Sequence, residues 1–212
     1  MFYNADFLSS AVRGSALQPV QAAAKELLNS SCDLSATLTR LNEFAQKGIS
    51  ARHFTSLTHL NQLAQRLCED KLKKWNVELK VTAPQNDSQL YSCIVLGSQI
   101  LGELLCNAAE ANPNGVVLLT FERGAPLDET WICRVEDEGP GISHQLKSRI
   151  YEPFVSTKQG RVGLGLTMAR AFARQLGGDI SFENTSSGCV FLLELPRTMT
   201  PPWSPSASGP AQ

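Results

Sequence analysis

Asp137-Glu138-Gly139-Pro140-Gly141-Ile142, with Gly163-Leu164-Gly165-Leu166 downstream of a Phe-bearing stretch, is the pair of segments on which the fold turns. The first joins a carboxylate to two closely spaced glycines. The second sets two glycines directly before an apolar-periodic segment, Thr167 to Gln175. Glycine allows backbone angles and close approaches that a Cβ forbids. A helix that starts beside such a loop points free N–H groups and its positive dipole end at an anion. The two segments together describe a pocket that holds a base with a carboxylate and phosphates with backbone amides.

Upstream lies Glu103-Leu104-Leu105-Cys106-Asn107-Ala108. Glu103 and Asn107 stand one helical turn apart, which stacks both side chains on one face. Carboxylate and amide oxygens suit Mg²⁺, which sits against nucleotide phosphates and keeps several waters. Each motif has a plainer meaning by itself. Asp, Gly and Pro make any tight turn. Gly-x-Gly before a helix recurs widely, and a Glu/Asn pair is ordinarily a solvated helix face. Their joint occurrence, in this order, points to a nucleotide site.

The ordered motifs resemble the catalytic, ATP-binding domain of sensor histidine kinases, within the gyrase, Hsp90, histidine kinase and MutL superfamily. Glu103 to Ala108 is similar to that family's asparagine box, and Asp137 to Ile142 to its first glycine box. Tyr151-Glu152-Pro153-Phe154-Val155-Ser156-Thr157-Lys158 is similar to its phenylalanine box, and Gly163 to Leu166 to its second glycine box. Ala173 to Ile180 resembles the helix-to-strand exit that follows. The resemblance covers roughly residues 50 to 197.

The resemblance implies roles position by position. Asp137 accepts a hydrogen bond from the adenine amino group, and Gly139 and Gly141 let the backbone pass close to the base. Asn107 holds Mg²⁺. Glu103 stands where many such kinases carry Asn and gyrase-like members carry Glu; it polarises a nucleophile or holds metal-bound water. Gly163 and Gly165 free amides for the phosphates. Ile142, Phe154, Leu164 and Leu166 join the ATP-binding set as members of their boxes. Lys158 and Arg161 flank the lid and approach the phosphate tail as point charge and fork respectively. Arg161 is also a departure, since the family often has glycine there.

The 212 residues allow one ordinary domain with a smaller appendage. At 42% hydrophobic and 18% charged, the composition is that of a soluble globular protein. A formal net charge of −1 gives no electrostatic case for nucleic acid. The six cysteines are dispersed without a C-x-x-C pair, so neither zinc nor disulfides are expected, and a reducing cytoplasmic setting is. No apolar run reaches membrane-span length, and the N-terminus lacks secretory character. A stand-alone or fragment-like version of a kinase is therefore expected.

Along the chain, residues 1–48 read as a helical hairpin, a dimerisation region that would pair with a second copy. Gly14 to Pro19 resembles the end of a phosphoacceptor box, with Gly14 where the histidine belongs. His53, His59 and His144 lack that box's acidic and proline neighbours. Residues 49–197 form the ATP-binding domain, beginning with a connector, 49–59, that adds a short edge strand with Phe54 and Leu57 inward. A helix follows over Asn61 to Trp75, a strand over Glu78 to Thr82, a turn over Pro84 to Asp87 and a long helix over Gln89 to Asn112. Strands are expected over Val116 to Glu122 and Thr130 to Glu136 around a polar link, then a helix after the lid. A hairpin of Asp179 to Asn184 with Cys189 to Leu195 closes the domain. Residues 198–212, rich in Pro and Ser, read as disordered.

The expected architecture is an α/β fold, an α+β two-layer sandwich of the Bergerat type. A mixed sheet is covered on one face by helices and preceded by the hairpin. The expected function is a histidine-kinase-type, Mg-ATP-dependent phosphoryl transfer to a histidine, in trans or as part of a longer sensor kinase. Its expected partners are a response regulator or a histidine-bearing kinase hairpin. The alternative is a non-catalytic ATP-binding adaptor, favoured by the missing acceptor box. A gyrase- or Hsp90-like ATPase gains from Glu103 but lacks a transducer domain. An anti-sigma kinase is disfavoured because Ala109-Glu110-Ala111 does not supply its His-Ala element.

Overall fold

The structure, a computed structural model, describes residues 53–82, 88–124, 130–158 and 161–197. The expected hairpin of residues 1–48, the turn at Pro84 to Asp87 and the tail of 198–212 lie outside the described residues. Alternation of apolar and polar residues makes the strands β1 (His53–Ser56), β2 (Glu78–Thr82), β3 (Gln89–Ser92), β4 (Val116–Arg123), β5 (Thr130–Asp137), β6 (Asp179–Asn184) and β7 (Cys189–Pro196). The 3.6-residue period makes the helices α1 (Leu57–Lys74), α2 (Ile94–Ala111) and α3 (Gly165–Gln175).

Five strands form one mixed sheet in the order β2-β4-β5-β7-β6. β2 and β4 are parallel, and the other neighbours are antiparallel. The β2–β4 crossover includes β3 and α2, as a parallel pair requires a long connection. β5 is central and strictly alternating, and it buries Trp131, Cys133, Val135 and Asp137 on one face. Val117, Leu119 and Phe121 of β4 and Phe191, Leu193 and Leu195 of β7 join the same core. The opposing layer supplies Leu60 and Ala64 of α1, Ile100, Leu101, Leu104 and Leu105 of α2, and Phe172 and Ala173 of α3. Leu118, on the opposite face of β4, is exposed. The expected one-sided sandwich is therefore the fold.

Three local expectations are corrected. Gln89 to Ser92 is a strand, not the first turn of α2. It pairs antiparallel with β1, and its Gln89 carbonyl accepts from Trp131 Nε1 at 3.1 Å. Phe54 points outward and is 55% exposed, with its ring edge-on to Tyr91 at 5.3 Å; Thr55 takes the buried position. Leu57 is buried as expected. It opens α1 four residues before the expected start, because Ser56 caps the helix by accepting from the His59 N–H at 3.1 Å.

Asp179, at the start of β6, ties α3 to the sheet. It accepts from Arg170 Nε at 2.8 Å, from a second Arg170 nitrogen at 3.0 Å, and from the Ile180 N–H at 2.8 Å. Arg174 adds two longer bonds at 3.3 Å. The Arg170 guanidinium also lies 4.2 Å from the Tyr151 ring centroid, which links the segment before the lid to the same anchor. Partial burial works to raise the Asp179 carboxyl, but the arginines and the Ile180 N–H outweigh it and hold the group at about 2.

A carboxylate depressed in the folded state stabilises it fully above the ordinary carboxylate range, and that stability disappears as pH falls through the folded value. Urea unfolding of wild type and Asp179→Asn should therefore differ most near neutral pH. The difference should shrink steadily between about pH 4 and pH 2. A pH-independent difference would remove Asp179 as the titrating anchor.

Candidate functional site

Asp137 is the last residue of β5 and is 3% exposed. Its Oδ1 accepts from the Gly139 N–H at 2.9 Å, an Asx-type turn that bends the chain away from the sheet. Burial raises the Asp137 carboxyl above its ordinary value; the Gly139 N–H and Lys158 oppose the shift, and Glu136 adds to it. A buried acceptor with one turn bond has capacity left for a ligand donor. Gly141, at φ 68°, occupies the left-handed region that glycine adopts without strain. The next residue, Ile142, is fixed at both backbone polar groups by Asn184 of β6. Its N–H donates to Asn184 Oδ1 at 3.0 Å and its carbonyl accepts from Asn184 Nδ2 at 2.7 Å.

The second loop meets the first across a cleft of about 560 Å³, within the range of small-molecule sites. Gly163 has φ 75°, and its carbonyl accepts from the Phe154 N–H at 3.1 Å. A Cβ at Gly163 would fall 2.6 Å from the Val155 carbonyl oxygen, so only glycine closes this turn. Gly165 opens α3, whose N-cap residue Leu164 makes no side-chain cap bond. The first-turn amides of α3 are therefore left to an external acceptor. A Cβ on Gly165 would lie 2.9 Å from Glu103 Oε2, which measures how closely α3 approaches α2 here.

α2 buries its apolar side and turns Glu103, Asn107 and Glu110 toward the cleft. Lys158 Nζ lies 3.4 Å from Asn107 Oδ1 and 2.8 Å from Glu110 Oε2. Arg161 also pairs with Glu110, and Lys71 of α1 reaches Glu110 Oε1 at 3.4 Å. The Glu110 side chain is only 8% exposed. Burial works to raise its carboxyl, but Lys158, Arg161 and Lys71 outweigh that and hold it below the ordinary range.

Eleven of the thirteen expected site residues line this one cleft: Glu103, Asn107, Asp137, Gly141, Ile142, Lys158, Arg161, Gly163, Leu164, Gly165 and Leu166. Two do not. Gly139 faces the end of α2, where a Cβ would come within 2.6 Å of the Ala111 carbonyl oxygen. Phe154 has φ 66° and is 73% exposed, outside the cleft wall. Sequence reasoning passed over Glu110, Lys71 and Asn184. Only the acidic character of Glu110, one turn beyond Asn107, was a usable signal.

The residues present fit a hydrated Mg²⁺ beside phosphate. Glu103 and Asn107 offer hard oxygen donors on one helix face at the cleft. Among the described residues no group of three or more His, Cys, Asp or Glu is placed to hold a metal by itself.

Residues 96–199 match the family model described as histidine kinase-, DNA gyrase B- and HSP90-like ATPase. The sensor protein TorS of Escherichia coli is 36% identical over 119 residues, 52% of this chain and 13% of TorS. The sensor histidine kinase GlnK of Bacillus subtilis is 30% identical over 156 residues, 69% of this chain and 37% of GlnK. The chain thus spans a minor part of the curated relatives it matches. The catalytic domain of histidine kinase ThkA superposes with a TM-score of 0.62 at 30% identity, covering 69% of this chain and 95% of that one. ThkA in complex with the response regulator protein TrrA gives a TM-score of 0.64 at 26% identity, covering 88% of this chain and 53% of that one. The chain therefore belongs to the histidine kinase-, gyrase B- and Hsp90-like ATPase family, as a histidine kinase catalytic domain.

Proposed function

We propose that residues 49–197 are the ATP-binding catalytic unit of a two-component sensor histidine kinase. The observation that carries this is the convergence, in one cleft, of a buried strand-end carboxylate, an uncapped glycine-led helix start and an oxygen-donor pair on α2. Asp137 accepts a hydrogen bond from the adenine amino group, and Gly141 and Ile142 pass beside the base. The first-turn amides of α3 receive the phosphates, with Lys158 and Arg161 supplying charge from the lid. Asn107, with Glu103 beside it, holds Mg²⁺. When bound, the metal neutralises part of the phosphate charge.

The chemistry asks for positioning and charge neutralisation more than for a covalent protein intermediate. The sheet supplies a rigid back wall, and the two glycine turns place amide donors without side-chain obstruction. The γ-phosphoryl group passes to an imidazole nitrogen of a histidine on another helix, in trans or in a longer kinase of which this chain is part; the N–P bond forms as the β–γ bridging P–O bond breaks, and ADP leaves. Its setting is cytoplasmic; among the described residues no helix is long and apolar enough to cross a membrane. The response regulator is a partner by analogy with ThkA, whose structure with TrrA is known. Dimerisation through residues 1–48 and binding to a histidine-bearing hairpin belong to the same proposal. The absence of a His-x-x-x-x-Pro pattern around Gly14 favours one rival, an ATP-holding adaptor that transfers nothing.

Incubation with labelled ATP and Mg²⁺, with and without a histidine-bearing kinase hairpin, separates the two. The kinase labels the histidine, and Asn107→Ala lowers the rate on the order of tenfold or more. Nucleotide binding without any labelled histidine would establish the adaptor. Asp137→Asn should weaken Mg-ATP binding by about ten- to a hundredfold, the worth of a hydrogen bond to a charged group. Thermal unfolding should show the fold retained in that variant. Unchanged affinity would remove Asp137 from the base-binding role.

A further inference from the structure

Glu110 is a buried acid in a cleft built for anions, and the proposed nucleotide chemistry gives it no part. Its carboxylate sits between three cations from two directions. Lys71 comes from α1, and Lys158 and Arg161 come from the segment that bridges the phenylalanine and second glycine boxes. The lid pairs span 48 and 51 residues of sequence, so they are tertiary contacts and not helix-surface pairs. The cations remain about one third exposed, at 35% for Lys158 and 31% for Arg161, while Glu110 is 8% exposed. The cations thus reach solvent and the acid does not. Lys158 also lies 3.4 Å from Asn107 Oδ1, so its ammonium group sits beside the oxygen proposed to hold metal.

We infer that Glu110 is an internal competitor for the polyphosphate: its carboxylate holds Lys158 and Arg161 on α2, and a bound nucleotide exchanges these ion pairs for its own phosphate oxygens. Glu110 is a positioning residue that sets nucleotide affinity through the lid, without contacting the reacting atoms. Removing the acid takes one negative charge from the cleft and ends its ion pairs with the two lid side chains. In a partly buried cleft such charges are weakly screened, so both changes strengthen anion binding. Arginine and lysine keep different geometries in the exchange: Arg161 offers a fork to phosphate, and Lys158 a point charge that vacates the neighbourhood of Asn107.

The inference rests on the proposed nucleotide site, and calorimetry of the full chain with Mg-ATP keeps the two apart. If wild type shows no association, the nucleotide site itself fails. If wild type binds, Glu110→Gln should bind at least about threefold more tightly, with a steeper loss of affinity on adding salt. Repeating the substitution in a Lys158→Gln/Arg161→Gln background should shrink the gain to the part that comes from removing one negative charge beside Lys71. Trypsin should cut after Lys158 and Arg161 faster in nucleotide-free Glu110→Gln than in nucleotide-free wild type. Glu110→Asp, which keeps the charge but shortens its reach, should tighten binding by a smaller factor and serves if the glutamine variant does not fold. Equal or weaker Mg-ATP affinity in a folded Glu110 variant, or a gain undiminished by loss of both lid cations, would overturn the inference.

Discussion

The packing of α2 constrains everything else in this structure. Ile100, Leu101, Leu104 and Leu105 are fully buried in the core with the sheet residues, so the rotation of the helix about its axis is fixed. Burying one such side chain contributes about 1.5–3 kcal/mol, and a twist of the helix would expose several together. With that side committed, Glu103, Asn107 and Glu110 have one direction left, the cleft. The apolar period of α2 therefore aims its polar residues, and the spacing of the Glu103, Asn107 and Glu110 oxygens is set by helix pitch.

The sheet provides the second fixed surface. The register Asp137↔Cys189 places the last residue of β5 against the first of β7, on the buried parity of both strands. A carboxylate reaches the core face only because the strand ends there and the chain turns through Gly139. Asn184 then staples Ile142 to β6, so the loop beside the buried acid is held from two strands. The lid is held differently. Its contacts to α2 are ionic and partly exposed, and ion pairs of this kind exchange for phosphate far more readily than packed side chains move. On the proposed nucleotide reading, that contrast gives a rigid base end and an exchangeable phosphate end.

What could be read from the sequence is what local chemistry dictates. Gly141 and Gly163 announce themselves because their backbone angles demand glycine, and the β5 alternation ends visibly at Asp137. The helix-to-strand exit was legible for the same reason: Gly177 at φ 86° and Asp179 at a strand start are local features. The misreadings are non-local. Gln89 to Ser92 runs into the helical periodicity of α2, and only its partner β1, more than thirty residues upstream, makes it a strand. Phe54 is large and apolar, yet the pleat that buries Thr55 turns it outward. Glu110 looks like any helix-surface acid until Lys158 and Arg161 are folded against it. Gly139 and Phe154 keep their boxes' sequence without being among the residues that line the cleft.

The central claim is that one cleft gathers the buried acid, the α3 amides and the α2 oxygens around a single Mg-ATP. Amide-resolved NMR of the isotopically labelled chain tests it directly on titration with Mg-ATP. The account predicts saturable shifts of Gly141, Ile142, Gly163 and Gly165 and of the Asn107 side-chain amide, all fitting one dissociation constant. Shifts confined to other surfaces, or none at saturating nucleotide, would contradict it.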